Sequence, residues 1–133
     1  SFYPDNRSKL ELSREYFSNF MNNHSFAFKT AHKCLCFAIV RRIYYRCLAG
    51  YYFGDIKVSA KNCLLVDGNH RYIAYLLAGV EFGVTAWTCS DSDIPLSFSA
   101  LKIDYDDDWD SYSYNRLFIT DGTWLESYRR NAL

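Results

Sequence analysis

The sequence predicts an α+β fold, a small mixed β-sheet with helices packed against it. Three observations lead there. Half of the 133 residues are hydrophobic and 19% are aromatic, while Gly and Pro number only 6 and 2, so the chain can bury a core and is not low-complexity. An amphipathic helical pattern to about Met21 is followed by a long apolar stretch over residues 26–50, at a length that favours a helix over a strand. Residues 51–89 then alternate short β-prone runs with one helical pattern. The chain therefore divides into a mainly helical part, residues 1–50, a strand–strand–helix–strand core, residues 51–89, and an acidic aromatic loop with C-terminal elements, residues 90–133. No repeat or linker separates them, and the length suits one domain, residues 1–133.

Taken in order, residues 1–7 with Pro4 read as an extended lead-in. Ser8 and Glu11 match a capping box, with Leu10, Leu12, Tyr16, Phe17 and Phe20 carrying an amphipathic helix to about Met21. After a polar break at residues 22–25, the apolar stretch 26–50 reads as one long, largely buried helix ended by Gly50. Arg42 and Arg46, four apart, would share a face of it. Residues 51–58 and 63–66 read as two strands of a hairpin joined by the polar turn 59–62. A helix follows Gly68 and closes at Gly79, a good left-handed cap. Residues 84–89 read as a third strand and 90–95 as a loop; 96–103 fits neither template. Asp121-Gly122 is a turn signal, and Thr123 to Glu126 is a second capping-box match opening a short final helix.

The net charge is zero, so no overall electrostatic bias favours nucleic acid or an anionic membrane. Locally the charge is uneven. Lys29, Lys33, Arg41, Arg42 and Arg46 fall in residues 25–54 with no acid among them, and five Asp fall between Asp104 and Asp110 with no base. Two complementary solvated faces is the plain reading; a basic lining for an anion site, with the acids meeting a partner or a cation, is the sharper one. The acidic run fails as an EF-hand, because Trp109 and Asn115 stand where that loop needs Gly and Glu. Its aromatic residues, from Tyr105 and Trp109 to Tyr112 and Tyr114, suit a protein-contact surface between Asp104 and Tyr114. The five Cys form no C-x-x-C pair, and several lie in apolar runs, which points to reduced, buried thiols and a cytoplasmic site of action. No apolar run is long enough to span a bilayer, no metal-ligand spacing is present, and His24 and His32 have no ligand-spaced partner. The Tyr44-Tyr45 and Tyr51-Tyr52 doublets could stack on a base, although core or sheet surface is their commoner use.

The most specific stretch is Val66-Asp67-Gly68-Asn69-His70-Arg71, between the apolar run 63–66 and the helical pattern 72–78. It reads as strand, tight turn and helix start. Backbone N–H groups at a helix start lack intrahelical partners and carry the positive end of the dipole, so phosphate is favoured there. His70 and Arg71 add side-chain donors, and Arg suits bidentate phosphate contact.

This run, with Leu64, Leu65, Ala74 and Gly79, resembles the signature of the ParB/sulfiredoxin superfamily, and its Asp-Gly-x-His-Arg form is similar to the DGQHR-type relatives. The resemblance covers about twenty residues and implies a ParB/sulfiredoxin-like fold whose turn holds nucleotide phosphates. Asn69 stands at the sulfiredoxin cysteine position, which excludes sulfinic-acid reduction, and the ParB helix-turn-helix domain has no counterpart. The implied function is an enzyme handling a nucleotide or another phosphate ester, by NTP hydrolysis or phosphoryl transfer. Gly68, Asn69, His70 and Arg71 would bind phosphate; His70, Arg71 and Asp67 would carry catalysis. His70 would serve as phosphate donor or general acid–base. Asp67 would orient His70, bind a metal or cap the turn. The cofactor is open, with Mg2+ accompanying a nucleoside triphosphate as the expectation. Two alternatives remain: a ParB-like nuclease acting on nucleic acid, a toxin domain delivered within a larger secreted protein, and a non-catalytic immunity or interaction protein using the acidic aromatic surface. The turn is expected at the edge of the sheet, with the long helix packed against it.

Overall fold

The computed structural model describes residues 11–110. Ser8 and Leu10, the turn at Asp121-Gly122, the second capping box and the aromatic residues Tyr112 and Tyr114 lie outside that range. Among the described residues the fold is α+β, with three helices, a mixed four-stranded sheet and a small parallel two-stranded sheet.

Helix α1, Arg14–Asn23, begins later than the Ser8 capping box predicts. Ser13 is its cap, with Oγ accepting from the N–H of Tyr16 at 3.1 Å. Leu12 precedes the helix yet is buried, so the apolar spacing that seemed to extend the helix upstream reflects core contact without helical geometry. Phe17 and Met21, four apart, form its buried stripe.

The single helix expected over residues 26–50 is not formed. Strand β1, Lys29–Thr30, and strand β2, Cys34–Cys36, come first, and helix α2 runs only from Phe37 to Leu48. The reason is tertiary. A continuous apolar run does not distinguish a buried strand from a buried helix, and β2 is drawn into a parallel pairing with strand β6, Lys102–Asp104, far along the chain. Arg42 and Arg46 do share a face of α2, and both are buried.

Residues 51–55 form no strand; Gly50 and Gly54, each at φ +96°, break the extended run. Strand β3, Ile56–Ser59, then pairs antiparallel with strand β4, Leu64–Asp67, as the expected hairpin, with a register shift between Lys57 and Val58. Helix α3, Asn69–Ala78, follows Gly68 and ends at Gly79, whose φ of +69° is the left-handed cap the sequence predicts. Strand β5, Val84–Trp87, lies parallel to β3, giving the sheet order β1-β4-β3-β5. The ambiguous residues 96–103 resolve into a bridge of Leu96 to Thr30, a 3-10 turn at Phe98–Ala100, and the start of β6.

The core is shared by all these elements. Tyr72, Ile73, Ala74 and Tyr75 are four successive buried residues, so the middle of α3 is enclosed on every side. It packs chiefly against α2, whose Phe37, Val40, Tyr44 and Cys47 face inward, with Phe17, Leu35, Ile56, Leu65 and Phe98 completing the cluster. Each of the larger side chains contributes roughly 1.5–3 kcal/mol by burial, so α3 and the turn that opens it are held rigidly. No described helix is long and apolar enough to cross a membrane.

Candidate functional site

Strand β4 is an inner strand, so the 67–71 turn leaves the end of the sheet's middle, not its edge as expected from the sequence. Gly68 adopts φ +95°, ψ 33°, the left-handed region that an L side chain rarely enters. It is the N-cap of α3 and supplies no side-chain cap to the orphan N–H groups of the first turn. A Cβ on Gly68 would also lie 2.8 Å from Arg71 Nη2. The backbone conformation is what requires glycine here; a side chain would in addition push the guanidinium aside.

Arg71 is pre-oriented. Nη2 donates to Asp67 Oδ2 and Nη1 to the carbonyl of Phe53, both at 3.2 Å. Its side chain keeps 23% exposure, and that of Asp67 keeps 59%. Asp67 therefore orients Arg71, where the sequence suggested His70. Tyr75 OH donates to the carbonyl of Gly54 at 2.8 Å, so two side chains of α3 hold the 51–55 loop beside the turn.

His70 points the other way. Its Nε2 accepts the N–H of Cys36 at 3.0 Å, which leaves the ring proton on Nδ1. Burial, and then the neighbouring His32, lower its pKa from 6.5 to about 4. At neutral pH the imidazole is uncharged and committed to β2. Asn69 is likewise turned inward: buried, with Oδ1 accepting from Thr30 Oγ1 at 2.7 Å. The turn accordingly has two sides. Asn69 and His70 anchor the first turn of α3 to β1 and β2, while Gly68 and Arg71 stay on the outer side. Neither anchor was visible in the sequence, because Thr30 and the Cys36 N–H meet the turn only through strand pairing.

The Tyr doublets divide similarly. The Tyr52 ring stacks on Tyr75, with centroids 5.4 Å apart, its OH donates to Asp55 Oδ1, and it accepts the N–H of Gly83. Tyr44 is buried, and desolvation raises its pKa to about 12.

The basic and acidic stretches meet at Arg42. Arg42, 2% exposed, forms ion pairs with Asp108 and Asp110. Asp104 accepts the N–H groups of Asp106 and Asp107, each at 3.0 Å, and Trp109 Nε1–H at 2.9 Å. Those bonds, the Trp109 indole first, hold its carboxyl below the usual range. Trp109 lies edge-on to His70, centroids 5.5 Å apart, and Cys36 Sγ donates to the carbonyl of Asp107. The acidic segment is therefore a strap over α2, β2 and the inner side of the α3 turn, not a wholly solvated face, and Asp106, Asp107 and Trp109 remain exposed on its outside. Among the described residues no group of three His, Cys, Asp or Glu is arranged to hold a metal ion.

No protein-family model, curated protein or solved structure matches this chain.

Proposed function

We propose that the protein binds a nucleotide or another phosphate ester at the start of α3, in the manner of a ParB/sulfiredoxin-like turn, and acts on it by phosphoryl transfer or hydrolysis. One observation carries this reading: the first turn of α3 has no side-chain cap, opens on a left-handed glycine, and has the Arg71 guanidinium folded across that glycine. Backbone N–H groups and a planar cation on one side of a rigid helix start are suited to phosphate oxygens.

In this reading the roles differ from those the sequence suggested. Arg71 is the catalytic residue, offsetting charge that develops on the transferred group. Asp67 is a positioning residue for Arg71. The neutral, committed imidazole of His70 makes it a positioning residue as well, fixing the turn from within; its pKa of about 4 leaves it a poor proton donor at neutral pH. A divalent cation such as Mg2+ would arrive with a triphosphate. All five cysteines are free, in keeping with action in the reducing cytoplasm.

The test is binding and product formation with ATP, CTP, GTP, UTP and short nucleic acids in the presence of Mg2+, for the wild type and Arg71→Ala. Binding of at least one ligand should weaken about tenfold or more in the variant, as expected for a charge-assisted bidentate contact. Ligand binding or turnover indifferent to Arg71, or none at all by folded wild-type protein, overturns the reading.

A further inference from the structure

The two edges of the four-stranded sheet are treated differently. Edge strand β1 is two residues long, begins with the charged Lys29, and its Thr30 exchanges N–H and C=O bonds with Leu96 at 2.9 and 2.7 Å. That edge is closed. Edge strand β5 is exposed at every position, Val84 and Trp87 each at 50%, and pairs only with β3 among the described strands. Residues 82–90, Phe-Gly-Val-Thr-Ala-Trp-Thr-Cys-Ser, contain no charge and no proline. Natural edges are commonly guarded by charge, proline, a bulge or a covering segment. Among the described residues the charges that reach β5 act through its side chains and not along its open edge: Asp55 Oδ2 accepts from Thr85 Oγ1 at 3.1 Å, and Lys57 Nζ sits 4.2 Å from the centroid of the Trp87 ring.

We propose that β5 is an interface with a second copy of this chain, the two strands pairing antiparallel across a twofold axis and joining the sheets edge to edge. The strand is self-complementary for that arrangement. Val84 and Ala86 lie on one face, Thr85 and Trp87 on the other. A twofold axis perpendicular to the sheet sets residues of like face opposite one another. Centred on Ala86, it pairs Ala86 with itself, Thr85 with Trp87 twice, and Val84 with Thr88 twice. The small side chain falls on the axis, and each exposed indole covers a threonine, a favourable cross-strand pair. Centring on Thr85 would instead set Trp87 against Gly83. The uncharged run 82–90 spans the whole ladder, so no like charges oppose in either half.

Sedimentation velocity over a wide range of protein concentration, on the wild type, Ala86→Glu, Ala86→Lys and an equimolar mixture of the two variants, tests the proposal. The wild type should show a reversible monomer–dimer equilibrium. Each variant alone sets like charges opposite on the axis and should weaken dimerisation about tenfold or more. The mixture should regain it. Ala86 is exposed on an edge, so both variants should fold, and a melting curve recorded for each checks that they do. A wild type that stays monomeric throughout overturns the proposal. So does a dimer unaffected by either variant, or a mixture that fails to recover.

Discussion

The turn at residues 67–71 and the acidic strap at residues 104–110 are both conspicuous charged runs, and the fold uses them in opposite ways. The turn keeps its functional groups on the outer side: Arg71 lies across Gly68 and is held by an exposed carboxylate and a carbonyl. The strap turns Asp108 and Asp110 onto the buried Arg42 and uses Asp104 to cap its own loop, while Asp106 and Asp107 stay exposed. An exposed pair such as Asp67–Arg71 contributes at most about 1 kcal/mol to stability, so it can be exchanged for a ligand at small cost. A buried Arg requires its partners, because an uncompensated buried charge is far more costly. One region is suited to binding and the other to holding the fold.

The sharpest way to break the contrast is in the strap. Arg42→Leu removes the cation from above Asp108, whose side chain is 14% exposed, and urea denaturation should show a loss of about 3–5 kcal/mol. Combining it with Asp108→Leu should cost less than the sum of the single changes, since the stranded carboxylate goes too. An additive result would mean the pair is uncoupled.

His70 joins the two regions and should give a pH signature. Its pKa falls from 6.5 in the unfolded chain to about 4 in the fold, so the unfolded state takes up the proton first. Stability should therefore fall as pH drops from about 6.5 to about 4, by up to about 3 kcal/mol. In His70→Ala that slope should vanish, and at pH 7 the orphaned Cys36 N–H should cost about 1–3 kcal/mol. Asp104 acts lower still: its depressed pKa gives stability that is lost only as pH falls through that value. An unchanged slope in His70→Ala would remove His70 from the account.

In the turn, Gly68→Ala should cost about 1–2 kcal/mol from the positive φ. It should also displace Arg71, so phosphate-ester affinity drops together with stability. The smallest effect belongs to Asp67→Ala, which should change stability by no more than about 0.5 kcal/mol while altering ligand affinity through the freed Arg71. A large stability loss there would contradict the separation between the regions.

The features that could be read without the fold are those set by neighbouring residues. The hairpin over β3 and β4, the helix start after Gly68 and the cap at Gly79 depend on backbone chemistry within a few positions. Where the reading failed, distant residues decided. Residues 34–36 carry the same apolar signal as residues 37–48, and only the arrival of β6 makes the first a strand and leaves the second a helix. Leu12, which the apolar spacing placed in the first helix, is buried ahead of it, and the helix that contains Phe17 and Met21 is capped by Ser13.

The sequence by itself determined the α+β class and the Asp67-Gly68-Asn69-His70-Arg71 turn, since glycine conformation, helix capping and short-range periodicity are local properties. Only the tertiary structure decided which way each of those residues faces. It turned Asn69 and His70 inward to Thr30 and Cys36, gave Asp67 to Arg71, and drew the acidic run onto Arg42. Those outcomes depend on satisfying buried donors, acceptors and charges, and a buried group finds its partner by proximity in space, which order along the chain does not specify.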